Sequence, residues 1–162
     1  MQTQPQQPAM PPMDSARDNA APPGPESAPT EQAPAAAQVN LAKVAACVAY
    51  LFDARTAAHK IHLSTPNYAA HIALAEWYDA VIDLADQLAE VARGIALGQV
   101  LPFDAAECAC KAETNPVTLL AGVVAYLDAN RAALSPRSEV QNIVDEIQNL
   151  THRAIYKTTS LT

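Results

Sequence analysis

Three of the chain's four histidines and its densest row of carboxylates fall between residues 59 and 90, HKIHLSTPNYAAHIALAEWYDAVIDLADQLAE. Imidazole nitrogens with carboxylate oxygens form a donor set suited to iron or zinc. His59 lies six residues before Thr65, and His71 six residues after it. Two helices turning back at Thr65 would hold both rings roughly 9 Å from the turn, so the pair can converge. At 100° per residue, Asp79, Asp83, Asp86 and Glu90 share a sector of about 60°. That sector flanks an apolar stripe of Leu74, Tyr78, Val81, Ile82, Ala85, Leu88 and Ala92. Four like charges in a row repel one another unless water, cations or a partner chain neutralises them.

His71 and Asp86 are fifteen residues apart on this helix, about 22 Å along its axis. One metal ion cannot touch both within a chain. A second copy packed antiparallel across a two-fold axis brings the histidine end of one chain to the acidic end of the other, and gives two equivalent sites.

The elements that must position these groups are helices. Half of the residues are apolar, alanine dominates, and aromatics are few, which favours close-packed helices over a sheet. Thr65-Pro66, Asn115-Pro116 and Ser135-Pro136 each set a capping side chain before a proline at a first helical position. Four long helices are predicted, over residues 40–63, 66–97, 116–134 and 136–160, and no strand pattern occurs. Asp104 and Glu107 have the spacing of a capping box, so a short helix is predicted to begin at Asp104. Two short turns make the first and second helices, and the third and fourth, antiparallel neighbours. The long connection between the second and third fits a ferritin-like bundle as well as a plain up-down one.

Residues 1–38 hold nine of the thirteen prolines among Gln, Ala, Ser and Gly, so a disordered tail is expected before a bundle over residues 39–162. The tail carries four acids and one base, and the chain as a whole carries a net charge of −7. Without clustered Lys and Arg, binding to a nucleic-acid backbone is not expected. No basic-then-apolar leader opens the sequence and no uninterrupted apolar run reaches membrane-spanning length, so no membrane association is expected. Cys47, Cys108 and Cys110 are odd in number, which fits reduced thiols in the cytoplasm. Cys108 and Cys110 also form a weak soft-metal pair.

His59, His71, Asp86 and Glu90 are separated by 12, 15 and 4 residues. This spacing resembles that of the ferroxidase ligands of Dps, the mini-ferritins of starved bacteria. The flanking text is similar as well: Tyr68 before His71, Asp86 and Glu90 in sequence, and Gly94 and Gly98 after them. The last predicted helix, EIQNLTHRAIYKTTSL, has the look of the last Dps helix. The run His59-Lys-Ile-His62-Leu63-Ser-Thr65 resembles the start of a group of phage-encoded ferritin-like proteins. The resemblance covers about residues 40–160.

It implies an all-α, ferritin-like four-helix bundle. It also implies Fe(II) oxidation at sites shared between chains, with His59 and His71 of one subunit and Asp86 and Glu90 of its two-fold mate holding iron as a di-iron centre. Dps usually has Trp directly after its first histidine. Here Lys60 stands there and His62-Leu63 is nearer the pattern, so either His59 or His62 is the first ligand. Asp79 and Asp83 are further candidates for iron entry, and Trp77 for the shell around the ligands. The implied assembly is a homo-oligomer of two-fold dimers, a dodecamer in the Dps pattern, in the cytoplasm (the host's, for a phage protein). The Lys-rich DNA-binding arm of many Dps proteins is absent. The alternatives are a Zn site at His59, His62 and His71, or an interaction protein without ferroxidase activity that acts through its proline-rich tail.

Overall fold

Asparagine side chains start three of the four helices in the computed structural model, which describes residues 38–103 and 113–161. Asn40 accepts from the Lys43 N–H and opens α1, Leu41–Ser64. Asn67 accepts from the Ala70 N–H at 2.8 Å and opens α2, Tyr68–Ile95. Asn115 accepts from the Val117 and Thr118 N–H groups and opens α3, Pro116–Leu134. Each cap satisfies amide donors that the first helical turn leaves without partners. The fourth helix, α4, Ser138–Ser160, has no side-chain cap. Glu139 supplies a negative charge in its first turn instead. Hydrogen bonding from Arg137 holds the Glu139 carboxyl down at about 2.

Two expected helix starts move by two residues. Thr65 does not begin α2. Its N–H closes α1 onto the Ile61 carbonyl and its Oγ1 accepts from the Asn67 N–H, which leaves capping to Asn67. Ser135 likewise ends α3, and its hydroxyl takes the Arg137 N–H at 3.2 Å. In both places the residue before proline is extended, the conformation that proline's ring imposes on it. The expected short helix at Asp104, the Cys108–Cys110 pair and the tail expected to be disordered (residues 1–37 of it) lie outside the described residues.

Each helix packs against two others: α1 against α2 and α3, and α4 against α2 and α3. Their directions follow from single contacts. The Asn40 N–H at the start of α1 bonds the Leu134 carbonyl at the end of α3, and Tyr50 stacks on Tyr126 with ring centres 3.8 Å apart. Trp77, early in α2, reaches Thr151, late in α4. The pairs α1–α3 and α2–α4 are therefore antiparallel, and α2 and α3 run parallel. Parallel neighbours in sequence cannot be joined by a tight turn. The connection over residues 96–115 begins and ends at opposite ends of the bundle, about 28 Å apart for a helix of this length.

Leu51, Leu74, Val81, Leu88, Leu120, Val123, Leu127 and Ile147 are among the fully buried side chains at the centre. Ala54, Ala58, Ala85 and Ala92 lie among them and let the backbones approach closely. Cys47 belongs to this core, and burial pushes its thiol up to about 12. The 19 residues of α3 are also long and apolar enough to cross a membrane by length and composition, with a mean hydropathy of 1.3. Thr118, Asp128, Asn130 and Arg131 interrupt its apolar run, which is why no uninterrupted apolar stretch of that length occurs in the sequence. One face of α3 serves the bundle core.

Arg131 clasps α3 to α4. Its guanidinium donates to Gln141, Gln148 and Asp145, and Gln141 returns a bond to the Arg131 carbonyl. Asp145 is solvent-exposed and still pairs with Arg131 across the two helices.

The end of α2 carries one strained residue. Leu97 sits at φ 54° and Gly98 at φ 83°. The Gly98 N–H bonds the Arg93 carbonyl and the Leu97 N–H bonds Gly94, the paired bonds of a Schellman ending. The left-handed position in that motif favours glycine, yet Leu97 occupies it while 95% exposed. Leu97→Gly is expected to raise unfolding free energy by about 0.5–1 kcal/mol, since little packing is lost. Urea denaturation followed by circular dichroism reads this directly, and an unchanged midpoint would contradict it.

Candidate functional site

The corrected start of α2 decides which histidines meet. With Asn67 as the cap, the helical hairpin is symmetric about a point between residues 66 and 67, not about Thr65. Positions 62 and 71 are then equidistant from the turn, and so are 55 and 78. The pairing follows this register. His62 stacks on His71 with ring centres 3.8 Å apart, and Arg55 lies 5.4 Å from the centre of the Tyr78 ring. His59 stacks on Tyr78 at 4.4 Å and lies 6.0 Å from His62. The α1–α2 seam thus carries one continuous column of His71, His62, His59, Tyr78 and Arg55.

The His62–His71 pair is bonded reciprocally. His62 Nδ1 lies 2.8 Å from the His71 carbonyl oxygen, and His71 Nδ1 lies 3.0 Å from the His62 carbonyl oxygen. A carbonyl oxygen can only accept, so both Nδ1 atoms carry hydrogen. In the neutral ring this leaves Nε2 of each with a free lone pair. Such a backbone bond on one ring nitrogen is the usual way in which a metal-ligating histidine is oriented through the other. Both rings are half-buried.

The carboxylates lie elsewhere on α2. Asp79, Asp83, Asp86 and Glu90 are all exposed. Asp86 and Glu90 line a cavity of about 330 Å³ with Val48, Phe52, Arg93, Leu101 and Phe103. This cavity is near the far end of α2 from His71, as fifteen residues of helix require. Among the described residues, no three His, Cys, Asp or Glu side chains of one chain are grouped to hold a metal. Zinc held by His59, His62 and His71 together gains no support from this arrangement, because the His59 ring is turned onto Tyr78.

Trp77 takes no part in the seam. It is fully buried on the α4 side of α2, where its Nε1–H donates to Thr151 Oγ1 at 3.0 Å. His152 is exposed on α4.

Arg55 and Tyr78 complete the column between α1 and α2. Their signal is the spacing: Arg55, His59 and His62 repeat at four and three residues, and Tyr78 follows His71 by seven. Arg55 Nε is buried and has no hydrogen-bond partner. A buried guanidinium nitrogen left unbonded is costly.

Residues 62–158 match the model described as "Family of unknown function (DUF5856)". No curated protein and no solved structure matches the chain.

Proposed function

The chain belongs to the DUF5856 family, whose match begins at His62 and covers α2, α3 and most of α4, and we propose that this member is a Dps-like iron-binding protein that oxidises Fe(II) between two copies of its bundle. The reciprocal His62–His71 bond carries the reading. Two imidazoles oriented through Nδ1, each with an Nε2 lone pair, are half of a mixed nitrogen–oxygen ligand set. Asp86 and Glu90 are the other half. They belong to the opposite end of α2, so a second chain packed antiparallel must bring them. The helix order supports the same assignment, since a bundle whose two halves are joined by one long connection is the ferritin-like arrangement.

In this reading His71 and His62 of one chain, with Asp86 and Glu90 of its mate, bind substrate Fe(II) and leave positions open. His59, stacked on Tyr78, is the alternative first ligand. Electrons pass from Fe(II) to dioxygen or peroxide. The Fe(III) product hydrolyses and is stored or detoxified inside a closed shell of two-fold dimers, in the cytoplasm. Exposed Asp79 and Asp83 stand on α2 between the two halves of the ligand set.

Native mass spectrometry after anaerobic Fe(II) loading tests this. Wild type is expected as a closed oligomer of dimers holding iron at two equivalent sites per dimer, and Asp86→Ala/Glu90→Ala as the same oligomer without it. Wild type that takes up no iron in any assembly state would leave the second reading, a bundle that acts by interaction alone.

A further inference from the structure

The α1–α2 seam carries a cation and the adjoining strip of α2 a row of anions, none of them in an ion pair among the described residues. Arg55 Nε is buried without a hydrogen-bond partner, and its guanidinium lies over Tyr78 with no ion pair among the described residues. Asp79, Asp83, Asp86 and Glu90 are exposed one turn after another on the adjoining strip of α2, also without ion pairs there. The row cannot neutralise itself. Arg55 is fixed in the seam at the level of Tyr78 by the hairpin register.

We propose that Arg55 is the anchor of a two-fold interface, in which it pairs with Asp79 and Asp83 of a second copy of this chain. The occupant is a second copy because the same face bears both halves of the missing pair, as an isologous contact requires. The register makes the match. If His71 of one chain faces the Asp86–Glu90 stretch of the other, the axis crosses α2 level with Asp79 and Ala80. Arg55, at the level of Tyr78, then falls opposite the interval between Asp79 and Asp83 of the mate. One pair on each side of the axis gives two equivalent bridges near the centre of the interface. A guanidinium desolvated there is strong when paired and costly when its partner is removed. The register rests on the iron-site reading, but the charge pairing does not depend on bound iron.

The test is therefore made on the full chain with iron removed by a chelator. Sedimentation velocity and native mass spectrometry measure association, and circular dichroism checks helix content. Wild type is expected to associate in even multiples. Arg55→Glu and Asp79→Lys/Asp83→Lys are each expected to weaken dimer formation by roughly tenfold or more, since each sets like charges opposite one another. Arg55→Glu combined with Asp79→Lys/Asp83→Lys is expected to restore association. Arg55→Gln, a milder change, should weaken association less and reduce its dependence on salt, which guards against a folding defect in the reversed variants. A wild type that stays monomeric, single reversals that associate as wild type, or a combined variant no tighter than its parents would each overturn the proposal. Iron loading of the same samples separates the two ideas. Rescue of association without iron uptake leaves the interface standing and removes the ferroxidase reading. Iron uptake unaffected by the reversals removes the interface.

Discussion

His71→Ala is expected to abolish iron uptake at the two-fold site while leaving the bundle folded. The ring supplies one nitrogen donor of a small ligand set. Changing even the groups that orient a ligand typically costs 10–100-fold in metal affinity, so removing the ligand itself should cost roughly 100-fold or more. The geometry makes the substitution unusually clean. His62 bonds the backbone carbonyl of residue 71, which alanine retains, so the His62 ring keeps its Nδ1–H bond and its orientation. The converse holds for His62→Ala, where His71 keeps its bond to the carbonyl of residue 62. Each variant therefore removes one donor without releasing the other. Titration with Fe(II) or Co(II), followed by absorbance and by mass, compares His62→Ala, His71→Ala and His59→Ala. The register of the hairpin predicts that His62→Ala is as damaging as His71→Ala, and more damaging than His59→Ala. Full uptake by both His62→Ala and His71→Ala would reduce the stacked pair to a clasp that holds the hairpin together.

The largest loss of stability is expected from Trp77→Ala. The indole is fully buried, and its Nε1–H is satisfied by Thr151 Oγ1, whose own hydroxyl donates to the Ile147 carbonyl at 2.7 Å. Alanine would leave a cavity between α2 and α4 and an unmatched hydroxyl lone pair. Large-to-small changes of this kind cost about 3–5 kcal/mol. A domain of this size typically has roughly 5–15 kcal/mol in total, so the variant should unfold at much lower urea or temperature. Trp77→Phe keeps most of the volume and loses the hydrogen bond, for a smaller cost of about 1–3 kcal/mol. Circular dichroism serves for all three proteins. In wild type the fluorescence of the chain's one tryptophan gives an independent transition that should coincide with it. Unchanged stability in Trp77→Ala would contradict the packing described. Unchanged iron uptake in Trp77→Phe is also expected, since Trp77 faces α4 and not the histidine seam.

The sequence by itself determined the secondary structure and much of the local chemistry. Apolar spacing marked all four helices, and Asn115-Pro116 marked the start of α3 to the residue, because the cap and the proline act on their own backbone. The separation of His71 from Asp86 was equally fixed, since a helix has one rise per residue and neither packing nor solvent alters it. What the sequence left open was any quantity that depends on how two elements meet. Thr65 and Asn67 are both good caps before the same helix, and local propensity does not choose between them. The choice shifts the hairpin by one and a half residues about its centre and exchanges His59 for His62 as the mate of His71. Trp77 and Tyr78 are adjacent in sequence but turned by about 100° on α2, so one enters the α4 interface and the other the α1 seam. The parallel course of α2 and α3 was likewise decided only by the tertiary fold. A long connection permits either direction, and the packing of α3 against α1 selects one. Arg55 shows the same division. Its position on a stripe was legible from spacing, but that its Nε would be buried without a partner is a property of three dimensions, because desolvation depends on neighbours that the chain brings from elsewhere.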